Sequence, residues 1–122
     1  MIGKTATVTT VVSEKNTATA VGSGSLDVFS TPMMIALMEQ AACECLADSL
    51  EPGQTSVGTQ VNIAHTVASP LGATITATAT IAHVEGRKVT FTVVANDGLN
   101  DIGSGTHGRF IVDVEKFMSK VK

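Results

Sequence analysis

Between Lys4 and Val12 the chain alternates Thr with Ala and Val. Successive side chains leave a strand on opposite faces, so this period of two predicts a half-buried strand. After a polar break at Ser13 to Asn16 a second alternating run, Thr17 to Val21, predicts another strand. Gly22-Ser23-Gly24-Ser25 then predicts a flexible loop. From here the pattern changes to a single long helix. Ser30 or Thr31 can cap it, and Pro32 suits a first turn whose N–H would be unpaired anyway. The helix is expected to run to about Leu50 and to stop at Glu51-Pro52-Gly53. Period two returns over Ser56 to Ala64, Ala73 to Val84, Lys88 to Ala95 and Gly105 to Val114. Glu85-Gly86-Arg87 and Asn96-Asp97-Gly98 are turn signals, which makes the neighbouring strands antiparallel hairpins.

The expected order is therefore strand, strand, one long helix, four strands. A single apolar helix with no helical partner has to bury its face on the sheet. That is an α+β architecture, one antiparallel sheet wrapped round a central helix, the arrangement called the hot-dog fold. With 122 residues the chain fits one domain spanning 1–122 and has no room for a second core.

Composition narrows the function classes. At 43% hydrophobic and 16% charged the chain is globular. A net charge of -3, no Trp or Tyr and only 4 Phe argue against nucleic-acid binding, which needs a basic footprint and stacking surfaces. A local basic patch for a phosphate-bearing ligand is still compatible with that charge. The start, Met1 to Thr10, has no basic segment followed by an apolar run, so no secretory signal is expected. The apolar stretch Met33 to Met38 is too short to span a bilayer. Cys43 and Cys45, two apart on a helix, point to different faces and cannot pair, so free thiols and a reducing cytoplasm are expected. No metal site is expected, because two Cys at that spacing with no nearby His match no ligand pattern.

At about 100° per residue, Gln40, Glu44, Asp48 and Glu51 share one polar stripe of the helix, and Glu39 points away from it, toward Ile35, Ala36, Ala42 and Cys43. A carboxylate among apolar groups has to be paired, protonated or lining a cavity. Position alone weighs function and structure evenly for Glu39. Thr31 stands at the helix entrance, where capping is the plainer role. His65 ends a strand just before Ser69-Pro70-Leu71-Gly72, where a lone His is more often structural.

Taken together these residues match a pattern. Val28-Phe29-Ser30-Thr31, Leu37-Met38-Glu39, Val57-Gly58-Thr59, His65-Thr66 and the run Ile102 to His107 resemble the fluoroacetyl-coenzyme A thioesterase family of hot-dog proteins. Val114-Glu115-Lys116-Phe117 is similar too, so the resemblance covers nearly the whole chain. It implies that Thr31, Glu39 and His65 are catalytic and that the Gly58 backbone N–H helps hold the thioester carbonyl. It also implies that Arg109 is near the substrate, although an Arg in a strand is ordinarily solvated. His107 matches without an implied role. Chemically, Glu39 can act as general base on water or attack directly to give an anhydride. Thr31 can hydrogen-bond Glu39 or relay a proton, and His65 can move protons near neutral pH. Donors such as the Gly58 amide would stabilise the oxyanion.

One segment departs from the family. The family's fluoroacetyl-specific enzyme guards its site with aromatic lid residues before the helix, and here Gly22-Ser23-Gly24-Ser25-Leu26 has no aromatic until Phe29. The expectation is a thioesterase for short acyl-coenzyme A substrates without fluoroacetyl specificity. No cofactor is expected, coenzyme A being part of the substrate. The implied partner is a second copy: a homodimer with sites at its interface, pairing into tetramers being left open. A non-catalytic module binding acyl-coenzyme A, a hydratase, and a carrier-protein thioester in place of coenzyme A are the competing readings.

Overall fold

A computed structural model describes residues 1–121. Its elements are β1 (Thr5–Val11), α1 (Ala18–Val21), α2 (Thr31–Leu46), a 3₁₀ turn (Ala47–Ser49), β2 (Gln54–His65), β3 (Thr74–Glu85), β4 (Lys88–Asn96), β5 (Asp101–Asp113) and α3 (Val114–Ser119). The five strands form one antiparallel sheet in the order β1-β3-β4-β5-β2, leaving β1 and β2 as its edges.

Alternation decides which side of the sheet meets the helix. Ile75, Ala77, Ala79 and Ile81 of β3 and Val89, Phe91, Val93 and Ala95 of β4 all point inward and are fully or almost fully buried. Against them α2 lays Met34, Leu37, Met38, Ala41, Ala42, Cys45 and Leu46. The small Ala77, Ala79, Ala41 and Ala42 keep the helix close to the sheet, and each large apolar side chain covered contributes roughly 1.5–3 kcal/mol. The opposite face carries the threonines of the alternation, with Thr7 and Thr9 hydrogen-bonded to Thr78 and Thr76 at 3.2 and 3.3 Å.

Thr17 to Val21 is not a strand. Thr17 instead accepts the Ala20 N–H through its hydroxyl at 3.2 Å and caps the single turn α1, which Gly22 closes in the left-handed conformation at φ 77°. The run is too short to compete for a sheet edge, and Ala tolerates the helix well. Among the described residues there are therefore five strands rather than six. β5 begins at Asp101, ahead of the expected Gly105, because Gly103 and Gly105 hide the alternation while still pairing with β4 and β2. After Asp113 the chain turns into α3, which periodicity did not predict. The turn signals hold: Gly86 and Gly98 take φ 62° and 95°, and Asp97 Oδ1 accepts the Leu99 and Asn100 N–H groups at 2.9 and 2.7 Å. Cys43 and Cys45 are both free, one exposed and one buried. Among the described residues no helix is long and apolar enough to cross a membrane.

Candidate active site

Two groups of polar side chains lie along α2. The first is at its entrance. Ser30, not Thr31, is the cap: its hydroxyl accepts the Met33 N–H at 3.2 Å. That leaves the Thr31 hydroxyl free to hydrogen-bond Nδ1 of His65 at 2.7 Å. His65 is the last residue of β2, fixed where the Thr66 and Val67 N–H groups both turn onto the Ile102 carbonyl at 2.8 and 3.2 Å. Its Nε2 is shut off from solvent and has no hydrogen-bond partner. Burial pushes the imidazole pKa below its ordinary value of 6.5, opposed by a weaker backbone interaction at Val67. Ser23, Val28 and Phe29 close a pocket of about 220 Å3 around Thr31 and His65.

The second group is centred on Glu39. Its carboxylate is 40% exposed and receives the Arg109 guanidinium, Nη1 to Oε2, at 3.3 Å. Arg109 is not the solvated residue that a strand position suggested. It is 6% exposed, and its Nε and Nη2 donate to the Ser56 hydroxyl at 2.8 Å and the Ser56 carbonyl at 3.0 Å. Beside it His107 is 2% exposed and pairs with the Gln60 carbonyl through Nδ1 at 2.7 Å. A carbonyl can only accept, so Nδ1 carries the proton. Nε2 of the neutral ring then accepts from Arg109 Nη1 at 3.2 Å, and lies 3.9 Å from the Glu39 carboxylate. Phe91 stacks on the ring at 6.1 Å. The result is a chain of contacts from the β2 backbone through His107 and Arg109 to one carboxylate oxygen.

Gly58 belongs to this second group. A Cβ there would stand 2.6 Å from Glu39 Oε2 and 3.3 Å from Arg109 Nη1, so only glycine lets the carboxylate approach the β2 backbone. A bulge follows it: Gly58 faces Arg109 and Gln60 faces Gly108, which leaves Thr59 without a partner in β5. Glu39, Arg109, Ala36, Gln40 and Cys43 line an open cleft of about 540 Å3, a size suited to a small-molecule ligand. Of the outcomes open to a carboxylate in that position, Glu39 is both paired and lining a cavity.

The five residues singled out from the sequence thus divide. Thr31 and His65 are in direct contact, and Glu39, Gly58 and Arg109 form the other group. Eight residues of helix separate Thr31 from Glu39, roughly 12 Å at 1.5 Å per residue. Within one chain, Thr31 therefore hydrogen-bonds His65 rather than Glu39. Ser56 and His107 were missed as partners of the carboxylate. The signal for His107 was present, since it stands two residues from Arg109 on a strand and so shares its face. Among the described residues no group of three or more His, Cys, Asp or Glu side chains could hold a metal ion.

Comparison with known proteins gives a consistent set of matches. The model of a family described as fluoroacetyl-CoA-specific thioesterase matches residues 12–115. A fluoroacetyl-CoA thioesterase from Streptantibioticus cattleyicolor is 47% identical over 96 residues, 79% of this chain and 69% of that one. The solved structure of the fluoroacetyl-CoA thioesterase FlK superposes with a TM-score of 0.94 at 39% identity, covering 99% of this chain and 94% of that one. A variant of FlK in complex with fluoroacetate and CoA gives 0.90 at 40% identity, with 96% and 98% covered. A thioesterase superfamily member from Thermus thermophilus gives 0.90 at 26% identity, with 98% and 88% covered.

Proposed function

The chain belongs to the fluoroacetyl-CoA-specific thioesterase family of hot-dog proteins, and we propose that it hydrolyses short-chain acyl-coenzyme A, its pocket beside Thr31 giving no preference for the fluoroacetyl group. It is a thioester hydrolase. The observation that carries the reading is the carboxylate of Glu39, oriented by Arg109 and set against the side-chain-free backbone at Gly58. A thioester carbonyl set beside them would meet an oxygen nucleophile and a backbone donor at one place. Glu39 either removes a proton from the attacking water or attacks the carbonyl itself to give a mixed anhydride that water opens. In both routes the C–S bond breaks, coenzyme A leaves as a thiolate that takes up a proton, and the free acid is released. His65, neutral near pH 7 because burial disfavours its charged form, moves protons with Thr31 as its hydrogen-bond partner.

The 12 Å between the two groups is what a second copy would close. β2 is an edge strand of 12 residues with no Lys, Arg, Asp or Glu to discourage pairing. Antiparallel pairing of β2 with its copy, centred on Asn62, matches Val61 with Ile63 on the helix-facing side and, across the bulge at Thr59, sets Gly58 opposite His65 of the second chain on that same side. The proposed working unit is therefore a homodimer with two sites, each taking Glu39 and Gly58 from one chain and Thr31 and His65 from the other. The lack of fluoroacetyl preference rests on the pocket beside Thr31: its only aromatic is Phe29, which is 2% exposed and packed into the core rather than free to act as a lid.

Thiol release from acetyl-, propionyl-, butyryl- and fluoroacetyl-coenzyme A, measured for the wild type and for Glu39→Gln, tests the proposal. Expected are comparable rates on several acyl groups and a loss of about 10²–10⁴-fold in the variant. A strong preference for fluoroacetyl would overturn the specificity, and an active Glu39→Gln would remove Glu39 from the chemistry.

A further inference from the structure

Both solvent-facing aromatics of the chain stand at one place. Of the four Phe, with no Trp or Tyr, Phe29 and Phe91 are core residues, whereas Phe110 and Phe117 are 41% and 37% exposed and line the same groove. The groove, about 420 Å3, runs between α3 and the side of the sheet turned away from α2. Phe110 and Val112 of β5 and Val57 of β2, Phe110's register partner, form its apolar floor. α3 is its wall, tied down by the Val114 N–H on the Gly53 carbonyl at 2.9 Å.

Charge is distributed just as unevenly. In a chain of net charge -3 with eight Lys and Arg, three of them, Arg87, Lys116 and Lys120, line this groove. Lys116 lies in α3 and Lys120 is the residue that ends it, four positions on in helical conformation, so both reach the same side. The one carboxylate in the lining, Asp113, is engaged by Arg87 at 3.4 Å. An apolar floor with two exposed rings, rimmed by cations, is complementary to a flat aromatic base carrying phosphates. The groove also adjoins the candidate site: Val57 and Thr59 line it, while Gly58 between them faces Glu39. Thr59 is the bulged residue, so the groove and the Glu39 carboxylate lie at the same register on opposite sides of β2.

We propose that this groove binds the 3′-phosphorylated ADP end of coenzyme A, Phe110 and Phe117 contacting the adenine and Lys116, Lys120 and Arg87 the phosphates. The inference rests on the acyl-coenzyme A thioesterase reading and adds where the substrate's nucleotide lies. The nucleotide takes no part in bond breaking, so the groove contributes to binding of substrate and transition state alike and acts on KM.

The test compares wild type with the double variant Lys116→Glu/Lys120→Glu, using acetyl-coenzyme A and acetyl-pantetheine, which lacks the nucleotide. Lys15→Glu, a charge reversal away from the groove, is the control for net charge. The groove predicts a rise in KM for acetyl-coenzyme A of about tenfold in the double variant, as two exposed ion pairs would give. It predicts no comparable change with acetyl-pantetheine, and none with either substrate in Lys15→Glu. Equal effects on both substrates, or an unchanged KM for acetyl-coenzyme A, would overturn it. Absence of turnover with every substrate would count against the hydrolase reading instead. Calorimetric affinity for coenzyme A, weaker in the double variant if the groove binds it and equal if not, then still decides the proposal.

Discussion

Glu39 is held by contacts from two strands, Gly58 of β2 and His107 and Arg109 of β5, and its behaviour should follow from them. The Gly58 position is the sharpest. A methyl group there would occupy space 2.6 Å from Oε2, and the side chain that has to yield is the flexible end of Glu39. Gly58→Ala is therefore expected to fold normally but to lose at least about tenfold in kcat, because a carboxylate displaced by even a fraction of an ångström leaves its attack geometry. Circular dichroism and thiol release measured on one sample separate the two effects. His65 gives a pH prediction. Its folded pKa lies below 6.5, so it is half protonated only below that pH. Activity that depends on neutral His65 should fall to half only below pH 6.5, a limb absent from the residual rate of His65→Gln. The same shift acts on stability. The unfolded chain takes up the proton first, so the stability His65 contributes is intact above 6.5 and is lost as pH falls toward its folded pKa. Denaturant midpoints across that range would show it.

At the scale of elements, the pairing of β2 with β5 positions everything in the Glu39 group: Ser56, Gly58 and Gln60 on one strand, His107 and Arg109 on the other. The ladder tolerates no Cβ at Gly105, where a methyl group would collide with the Asn62 carbonyl of the neighbouring backbone. A backbone atom cannot swing aside as the Glu39 carboxylate can. Gly105→Ala is accordingly expected to destabilise the fold by roughly 3 kcal/mol, lowering the melting temperature by on the order of 10 °C. A variant that melts with the wild type would show that the two strands have more room than their register implies. Gly58 and Gly105 thus answer opposite questions, one about the site and one about the sheet, although they lie on paired strands.

For the whole molecule, the consequence to test is the shared site. Glu39→Gln and His65→Gln are each expected to be nearly inactive as homodimers. If every site combines Glu39 of one chain with His65 of the other, unfolding and refolding an equal mixture produces mixed dimers in half of the population. Each mixed dimer has one complete site, so the mixture should recover about a quarter of wild-type activity. A mixture as inactive as its components would place both residues' work within one chain. Sedimentation of the same samples reports whether the dimer forms.

Local pattern was enough for most of the architecture. The alternation of Thr with Ala and Val marks which side of β1 and β3 is buried, Pro32 and Pro52-Gly53 bracket the helix, and Gly86 and Gly98 sit in turns that require positive φ. These are properties of neighbouring residues and are written into their order. The same rule failed at Thr17 to Val21, where alternation was too short to outweigh a capped helical turn, and at Gly103 to Gly105, where glycines erase the period. Thr31, Glu39, His65, Gly58 and Arg109 could all be named from the sequence, but their grouping could not. Thr31 and His65 meet across 34 residues and Arg109 and Glu39 across 70, and nothing in the spacing along the chain encodes those distances. Only the folded sheet decides that Arg109 is buried against Ser56 and His107 rather than solvated, because a strand's inner and outer faces differ in environment while its residues repeat every second position either way.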